Sequence, residues 1–366
     1  MKPFALIPLA AFASLQLASA ADQPLAFPGA EGFGQFATGG RGGETIHVTT
    51  LDDSGPGSFR DAVSKPKRTV VFDVAGTIQL KSNIAVSSDI TLDGKTAPGE
   101  GITIYGRSVS FSGQNNVVVR YLRFREGING DKGKCSVNLS NGGNMIFDHC
   151  SIEWGRWDCL GLTQGSHDIT FQHCIIGEGV DPQRFGSLSD TVTNITYSHN
   201  LWINNQSRNP KAKGRIQYVN NVVYNWGVCG LVGGHSGADH SLDAIGNYFI
   251  AGPNSSAHAV GEFKATDHVF QKDNLVDLNK DGKLDGKTLV PADFGKGDEA
   301  PTFSNDLTVG PLKNVTVESP ESALTNVLAQ AGCSQHRDAV DTRLIDAVKS
   351  FGKTGAIIHT EIPEQK

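Results

Sequence analysis

Six short segments in the middle of the chain share one pattern of hydrophobic and polar positions. They begin at Val117, Met145, Ile169, Ile195, Ile216 and Leu242, so successive starts lie 28, 24, 26, 21 and 26 residues apart. Within each segment the odd positions are mostly apolar and either β-branched or aromatic, as in a strand that sends alternate side chains into one core. The spacing is too long for hairpins and predicts a solenoid of stacked coils.

The fifth and sixth positions of these segments predict ladders of stacked side chains. The fifth position includes His149, His173 and His199, and the sixth reads Leu122, Cys150, Cys174, Asn200, Asn221 and Asn247. Coils in register place equal positions about 4.8 Å apart, so the asparagine amides can bond to one another at a bend. A helical solenoid is the main alternative, but helical apolar spacing is absent. We therefore predict a parallel β-helix, with the histidines in a structural ladder.

The flanking sequence extends this solenoid at both ends. Thr69 to Val74, Asp89 to Leu92 and Ile102 to Tyr105 are predicted strands of the first coils. Residues 319–352 hold two amphipathic stretches, Glu321 to Ala331 and Asp341 to Phe351, which are predicted helices laid across the solenoid. Because a β-solenoid adds coils to one core, we expect a single domain over residues 21–366.

The first twenty residues have the pattern of a secretory signal. Lys2 leads into an apolar run that ends in Ala18-Ser19-Ala20, so cleavage before Ala21 and secretion are expected. No later segment is apolar enough to span a membrane. Secretion leaves Cys150 and Cys174 open to pair as a disulfide or to stack as buried thiols. It also makes five Asn-x-Ser/Thr sequons candidate glycosylation sites, namely Asn138, Asn194, Asn205, Asn254 and Asn314.

Charge and its clustering point to a polyanionic ligand that is not nucleic acid. Lys and Arg total 32 against 38 Asp and Glu, a net charge of −6, which argues against non-specific nucleic-acid binding. The densest cationic cluster lies between the fourth and fifth repeat strands, with Arg184 on the preceding connection. We predict a polyanion site there, although a solvated turn is the plainer interpretation. The cluster comprises Arg208, Lys211, Lys213 and Arg215.

Residues 277–288 resemble a calcium-binding loop of the EF-hand type. Oxygen ligands stand at positions 1, 3, 5 and 9, glycine stands at position 6, and position 7 offers a backbone carbonyl. Position 12 is Thr288 in place of the usual Glu, so one bidentate ligand is missing. We expect a structural calcium site rather than a catalytic one. The predicted ligands are Asp277, Asn279, Asp281, Lys283 through its carbonyl, and Asp285.

Several motifs together resemble the secreted pectate lyases of polysaccharide lyase family one, in particular the pectate lyase C-like branch. The motifs are AFPGAEGFG, GGRGGE, SGPGSFRDAV, TAPGEGITIYG, MIFDHCSIEWG and SRNPKAKG. The resemblance covers nearly the whole chain after the signal and implies a single-stranded, right-handed parallel β-helix. It also implies β-elimination on α-1,4-linked polygalacturonate by a secreted, monomeric enzyme that acts on pectic polysaccharide.

The resemblance assigns roles to the cationic cluster. Arg208 is the candidate Brønsted base that removes the C5 proton, and Lys213 corresponds to a cation that holds the substrate carboxylate. Arg184 lies approximately where the family has a further lysine, and Lys211 and Arg215 are expected to bind substrate. Charge builds on the substrate carboxylate in the transition state, so neighbouring cations lower the barrier.

The chain departs from the family at the catalytic calcium. Lys132 and Lys134 stand where carboxylates are expected, which leaves Asp131 and Asp158 as weak candidate ligands. Two carboxylates are few for an ion that takes six or more oxygens. We expect a working lyase with weakened or absent calcium dependence in the groove. A lyase of methyl-esterified pectin without catalytic calcium, or a catalytically silent wall-binding solenoid, are the alternatives.

Overall fold

The chain folds into a parallel β-helix of about nine turns, which confirms the predicted fold class. The computed structural model describes residues 23–362, so the predicted signal peptide at 1–20 lies outside the described residues. Each turn contributes up to three short strands, and stacking the turns produces three parallel sheets around one apolar core.

Sheet 1 contains the six repeat segments and is continued at both ends by further strands. Register between neighbouring strands is strict: Met145 pairs with Ile169 and Ile169 pairs with Ile195. The predicted strands of the first coils belong here and in sheet 2, with ends shifted by a residue or two. Sheet 1 consists of Glu44–Val48, Arg68–Phe72, Ile90–Asp93, Asn115–Arg120, Gly143–Asp148, His167–Gln172, the second halves of Phe185–Ser198 and Lys211–Val219, His240–Ile245, Asp267–Lys272 and Thr302–Phe303.

Sheet 2 follows sheet 1 after a sharp bend in each turn. Its last strand pairs antiparallel and the others pair parallel. Sheet 2 consists of Gly76–Gln79, Ile102–Tyr105, Leu122–Arg125, Ser151–Glu153, Ile175–Gly177, Leu201–Ile203, Val222–Tyr224, Tyr248–Ile250, Leu275–Asp277 and Lys287–Thr288.

Sheet 3 completes each turn, and its outer face carries a shallow cleft. It is continuous with sheet 1 through two long strands that bend from one sheet into the other. Sheet 3 consists of Ile84–Ala85, Val109–Ser110, Val137–Ser140, Asp158–Thr163, the first halves of Phe185–Ser198 and Lys211–Val219, Leu231–Val232 and Val260–Gly261.

Two C-terminal helices cover the outer face of sheet 2, and a short N-terminal helix lies beside the first strand of sheet 1. Helix α1 spans Phe59–Ala62, α2 spans Pro320–Gln330 and α3 spans Ala339–Lys349, so the two predicted C-terminal helices are confirmed. Leu324 and Leu344 pack onto apolar side chains of sheet 2 such as Leu201. Short 3₁₀ turns occur at Gly94–Thr96, Pro291–Asp293 and Gly297–Glu299.

The predicted asparagine ladder forms at the bend between sheets 1 and 2. The side-chain amide of Asn200 donates to Asn221 at 3.0 Å, Asn221 donates to Asn247 at 3.1 Å, and Asn247 donates to Asn274 at 2.8 Å. Each amide also donates to a backbone carbonyl, which satisfies buried polar groups where the chain turns. All six cysteines fall within the described residues and are buried free thiols, so Cys150 and Cys174 extend the ladder as stacked thiols.

The predicted histidine ladder is also confirmed. The rings of His149 and His173 stack with centroids 4.8 Å apart, those of His173 and His199 are 5.2 Å apart, and Tyr121 caps the column at 4.6 Å from His149. Burial, together with the two neighbouring imidazoles, lowers the pKa of His173 to about 3. The central ring of the column is therefore uncharged at neutral pH.

We expect the His173→Phe variant to lose less stability than the parent when the pH falls from 7 to 4. An unfolded histidine binds a proton below about pH 6.5, whereas folded His173 does so only near pH 3, so acid destabilises the parent fold across this window. Phenylalanine keeps the stacking and does not titrate. Urea unfolding at both pH values should show a difference of up to about 3 kcal/mol. The exposed His336→Phe change is the control, and equal losses in both variants would contradict the assignment.

Candidate active site

A shallow cleft on the outer face of sheet 3 is the centre of the candidate site. One outward-facing row runs across successive strands, because strand register pairs each member with the next. The row consists of Ser110, Asn138, Gly161, Leu188 and Lys211. A cleft of about 350 Å³ lies over its first four members, and Lys134, Trp157 and Asp158 form its sides. Trp157 is 39% exposed and offers an apolar face beside the polar floor.

Arg208 is held at the edge of this cleft by two contacts. Its guanidinium lies over the Phe185 ring, 4.2 Å from the centroid, and donates to both carboxylate oxygens of Asp158 at 3.2 Å. Asp158, Phe185 and Ser207 occupy matching positions on three successive turns, so Arg208 reaches back over Phe185 to Asp158. Asp158 is fully buried. Burial raises its pKa to about 6, although Arg208 opposes that rise.

Lys211 and Lys213 continue the cationic line along the same face. Alternate residues of a strand point to opposite sides, so both ammonium groups face outward while Ala212 is buried between them. The Lys213 ammonium lies 2.9 Å from Asp190, and the Lys211 ammonium lies 3.4 Å from Glu262. Both lysines remain partly exposed, so a polyanion in the cleft can reach them.

The side chains of Arg184 and Arg215 point away from this line. The Arg184 guanidinium lies 3.4 Å from the Asp181 carboxylate and 3.3 Å from the His359 ring. Only its backbone is close to the connection that carries Arg208, because its carbonyl accepts a hydrogen bond from the Gln206 N–H. Arg215 donates to the Val309 carbonyl at 2.7 Å. The structure therefore brings Arg208, Lys211 and Lys213 together and leaves the other two predicted cations at neighbouring surfaces.

The groove acids do not form a calcium cage. Asp158 is engaged by Arg208, and Asp131 lies 3.8 Å from the Arg107 guanidinium. Lys134 lines the same cleft as Asp158, which adds a positive charge to the site rather than an oxygen ligand. Within residues 23–362, no three His, Cys, Asp or Glu side chains converge as a metal site. The residues of the groove thus do not fit the catalytic calcium that the family resemblance implies.

Glu126 organises the cleft and was missed by the sequence analysis. It is 1% exposed, and its two carboxylate oxygens accept from the backbone N–H of Asp131 at 3.0 Å and of Arg156 at 3.2 Å. Burial raises its pKa to about 7. The two segments it joins carry Lys134 and Trp157. Glu126 directly follows the strand Leu122–Arg125, and no pattern within that coil signals its burial.

The EF-hand-like loop adopts a compact turn stabilised by its own side chains. The carboxylate of Asp277, the amide oxygen of Asn279 and the carboxylate of Asp281 each accept from the backbone N–H two residues later, at 3.2, 3.1 and 2.9 Å. Asn279 also donates to Asp285 at 2.6 Å. At position 12, Thr288 belongs to the short antiparallel strand. The side-chain oxygens of the predicted ligands therefore lie around one turn, and Lys283 takes part in that turn through its backbone.

The five sequon asparagines differ in solvent exposure. Asn254 and Asn314 are exposed, Asn194 is half-buried, and Asn138 is half-buried in the cleft. Asn205 is fully buried, and its amide donates to the Ile176 carbonyl at 3.1 Å and to Asn209 at 2.9 Å. A glycan on Asn205 cannot be accommodated in the folded chain, so that expectation is wrong.

Comparisons with known proteins agree with the fold. The chain is 43% identical over 339 residues to a "Probable pectate lyase C" of Aspergillus flavus, which covers 92% of this chain and 80% of the relative. Its fold matches the thermostable pectate lyase PL 47 with a TM-score of 0.62 and 14% identity, over 86% of this chain and 99% of the other. A pectate lyase bound to a hexasaccharide matches with a TM-score of 0.59 and 14% identity, over 87% and 100%.

No protein-family model matches the chain. In the described part of the chain, no helix combines the length and the apolar character that crossing a bilayer requires.

Proposed function

Because this chain belongs to the pectate lyase family, we propose that it cleaves α-1,4-linked polygalacturonate by β-elimination. The observation that carries the proposal is the line of Arg208, Lys211 and Lys213 beside the shallow cleft, on a β-helix that is 43% identical to a probable pectate lyase C. Cations in a line match a polymer that carries one carboxylate per unit. A lyase restricted to methyl-esterified pectin is not favoured, because that polymer offers these cations no free carboxylates. A catalytically silent solenoid is not favoured either, because the chain is 43% identical to a probable pectate lyase C.

We assign proton removal to Arg208. A base takes the proton from C5 of a galacturonate unit, the electron pair of the C5–H bond forms the C4=C5 double bond, and the C4–O bond breaks. The leaving oxygen takes its proton from water, so the products are an unsaturated end and a new hydroxyl end. Lys213 lies on the same face and neutralises the carboxylate on which charge develops.

The environment of Arg208 sets its position. Phe185 and Asp158 fix the guanidinium at the edge of the cleft. Since a guanidinium is ordinarily protonated throughout the physiological range, the fraction of neutral base rises with pH. The activity is therefore expected to increase towards alkaline pH.

We assign the fixed positive charge of the groove to Lys134 in place of a calcium ion. Lys134 faces the same cleft as Asn138 and Asp158, where it can pair with a substrate carboxylate. Asp131 and Asp158, the two candidate calcium ligands, are each next to an arginine. The chemistry that a calcium ion would supply is charge neutralisation of the substrate, which an ammonium group also supplies.

We place a structural calcium ion in the loop at residues 277–288. Asp277, Asn279, Asp281 and Asp285 supply hard oxygen ligands from one turn, and Lys283 supplies a carbonyl. The loop follows the last parallel strand of sheet 2, so an ion there would secure that end of the solenoid.

We propose that the enzyme is a monomer that acts on pectic polysaccharide outside the cell, after removal of residues 1–20. The described region 23–362 is proposed as one domain, since its coils share one core.

The Arg208→Lys variant should lose at least about 100-fold in kcat, because lysine lacks the planar fork that Asp158 and Phe185 hold. Its remaining activity should also show a pH profile shifted to lower pH, since an ammonium loses its proton more easily than a guanidinium. Ultraviolet absorbance of unsaturated ends from polygalacturonate measures both. Arg215→Lys is the matched control, and a variant at Arg208 with parental kcat and pH profile would refute the assignment.

Chelation of calcium should leave the initial rate on polygalacturonate within about twofold of its original value, because Lys134 carries the charge. Lys134→Ala should lower kcat/KM at least about tenfold, because it removes one charge-assisted contact with the substrate carboxylate. Its exposed neighbour Lys132, which does not line the cleft, provides the control as Lys132→Ala. Complete loss of the parent's activity in chelator, restored by calcium, would overturn the role of Lys134.

Calcium should raise the Tm of the protein by about 2 to 5 °C through the loop at 277–288, since an ion that binds the folded state stabilises it. Asp281→Asn removes one carboxylate ligand and should abolish most of this shift without altering activity. Asp298→Asn, an exposed change outside the loop, should retain it. Differential scanning calorimetry with calcium and with chelator makes the comparison, and an equal shift in both variants would rule out the loop as the site.

A further inference from the structure

A second cavity lies on the outer face of sheet 3, beyond the cationic line. Strand register carries the row from Lys211 to Val232 and from Val232 to Gly261, which is two further turns. The cavity has a volume of about 300 Å³, and Gly261 forms part of its wall. At about 4.8 Å per turn, the Gly261 backbone lies roughly 10 Å past that of Lys211. The cavity therefore continues the surface on which a long polymer would lie.

The charged side chains that line this cavity are acidic, whereas the rest of the groove carries cations. Its acidic side chains are Glu262, Asp293 and Glu299, and no lysine or arginine of the described chain lines it. Apolar surface comes from Val228, which is 54% exposed, and from Phe294 at the base. His235 and His258 complete the polar rim.

Glu262 marks the point at which the charge changes sign. Its carboxylate lies 3.4 Å from the Lys211 ammonium, so Lys211 is the last cation of the line and Glu262 the first acid beyond it. One carboxylate oxygen of Asp293 already accepts a hydrogen bond from the Val290 backbone N–H, at 2.8 Å. Glu299 lines the cavity, is exposed and has no side-chain hydrogen bond within the described residues.

These features discriminate between free and esterified uronate units. A free carboxylate in this cavity meets three carboxylates, of which only Glu262 has a cation beside it, and this is a repulsive element that disfavours binding. A methyl-esterified unit is neutral, its methyl group can pack on Val228, and its hydroxyls can donate to the carboxylates. The cationic line, in contrast, requires free carboxylates.

We propose that the cavity formed by Glu262, Asp293 and Glu299 is a binding subsite for a neutral, methyl-esterified uronate unit at one end of the groove. The proposal rests on the proposed lyase function and makes the enzyme selective for partly esterified pectin. Glu299 is the specificity-determining residue whose replacement disturbs the cationic line least, since Glu262 contacts Lys211.

The test compares kcat/KM on polygalacturonate with kcat/KM on pectin of about half esterification, at pH 8, where histidine side chains are ordinarily uncharged. The parent should prefer the partly esterified pectin. Glu299→Lys should shift the ratio at least about fivefold towards polygalacturonate, mainly through KM, and Glu299→Gln should shift it less. Asp298→Lys is the matched control, because Asp298 lies on the same turn and does not line the cavity.

Product analysis supplies a second readout. Mass spectrometry of the oligomers released from partly esterified pectin should find methyl esters enriched at one fixed distance from the cut, and Glu299→Lys should abolish that enrichment. Unsaturated products with an unchanged ratio and random ester positions would overturn the subsite while leaving the lyase intact. Absence of unsaturated products from both polymers would instead refute the proposed function.

Discussion

The register between successive coils is the constraint on which the structure depends. Equal positions stack at the spacing of β-strands, so a side chain at one position is always next to its counterparts on the turns above and below. This is why Asn200, Asn221 and Asn247 can share hydrogen bonds and why the histidine rings stack. A slip of one residue in any coil would turn core side chains outward and break both ladders at once.

The same register builds the candidate site. Asp158, Phe185 and Ser207 lie on three consecutive turns at matching positions, so the next residue, Arg208, reaches back across Phe185 to a carboxylate two turns away. Lys211 and Lys213 face outward because of strand alternation. Contacts of this kind join residues up to 50 positions apart in sequence, yet each follows from short steps between neighbouring coils.

How much of this the sequence could predict depends on whether a feature repeats. The repeat strands, the asparagine and histidine ladders and the two C-terminal helices have periodic patterns, and all were predicted. The directions of Arg184 and Arg215 were not, because they depend on bends. Arg215 follows Gly214, where the strand turns from sheet 3 into sheet 1, so it faces a different surface from Lys213. Glu126 and Asn205 are burial effects of long connections, for which a pattern within one coil carries no signal.

The buried Asp158 shows that the site is arranged for position rather than for stability. A carboxyl whose pKa rises to about 6 on folding makes the folded state less stable as the pH increases from about 4 through 6, because ionisation is easier in the unfolded chain. A rise of about two units corresponds to about 3 kcal/mol, even with Arg208 beside it. An apolar residue at this position would avoid that cost but would leave Arg208 with the Phe185 ring alone. The fold thus tolerates a destabilising charge where it fixes the guanidinium that the proposed chemistry uses.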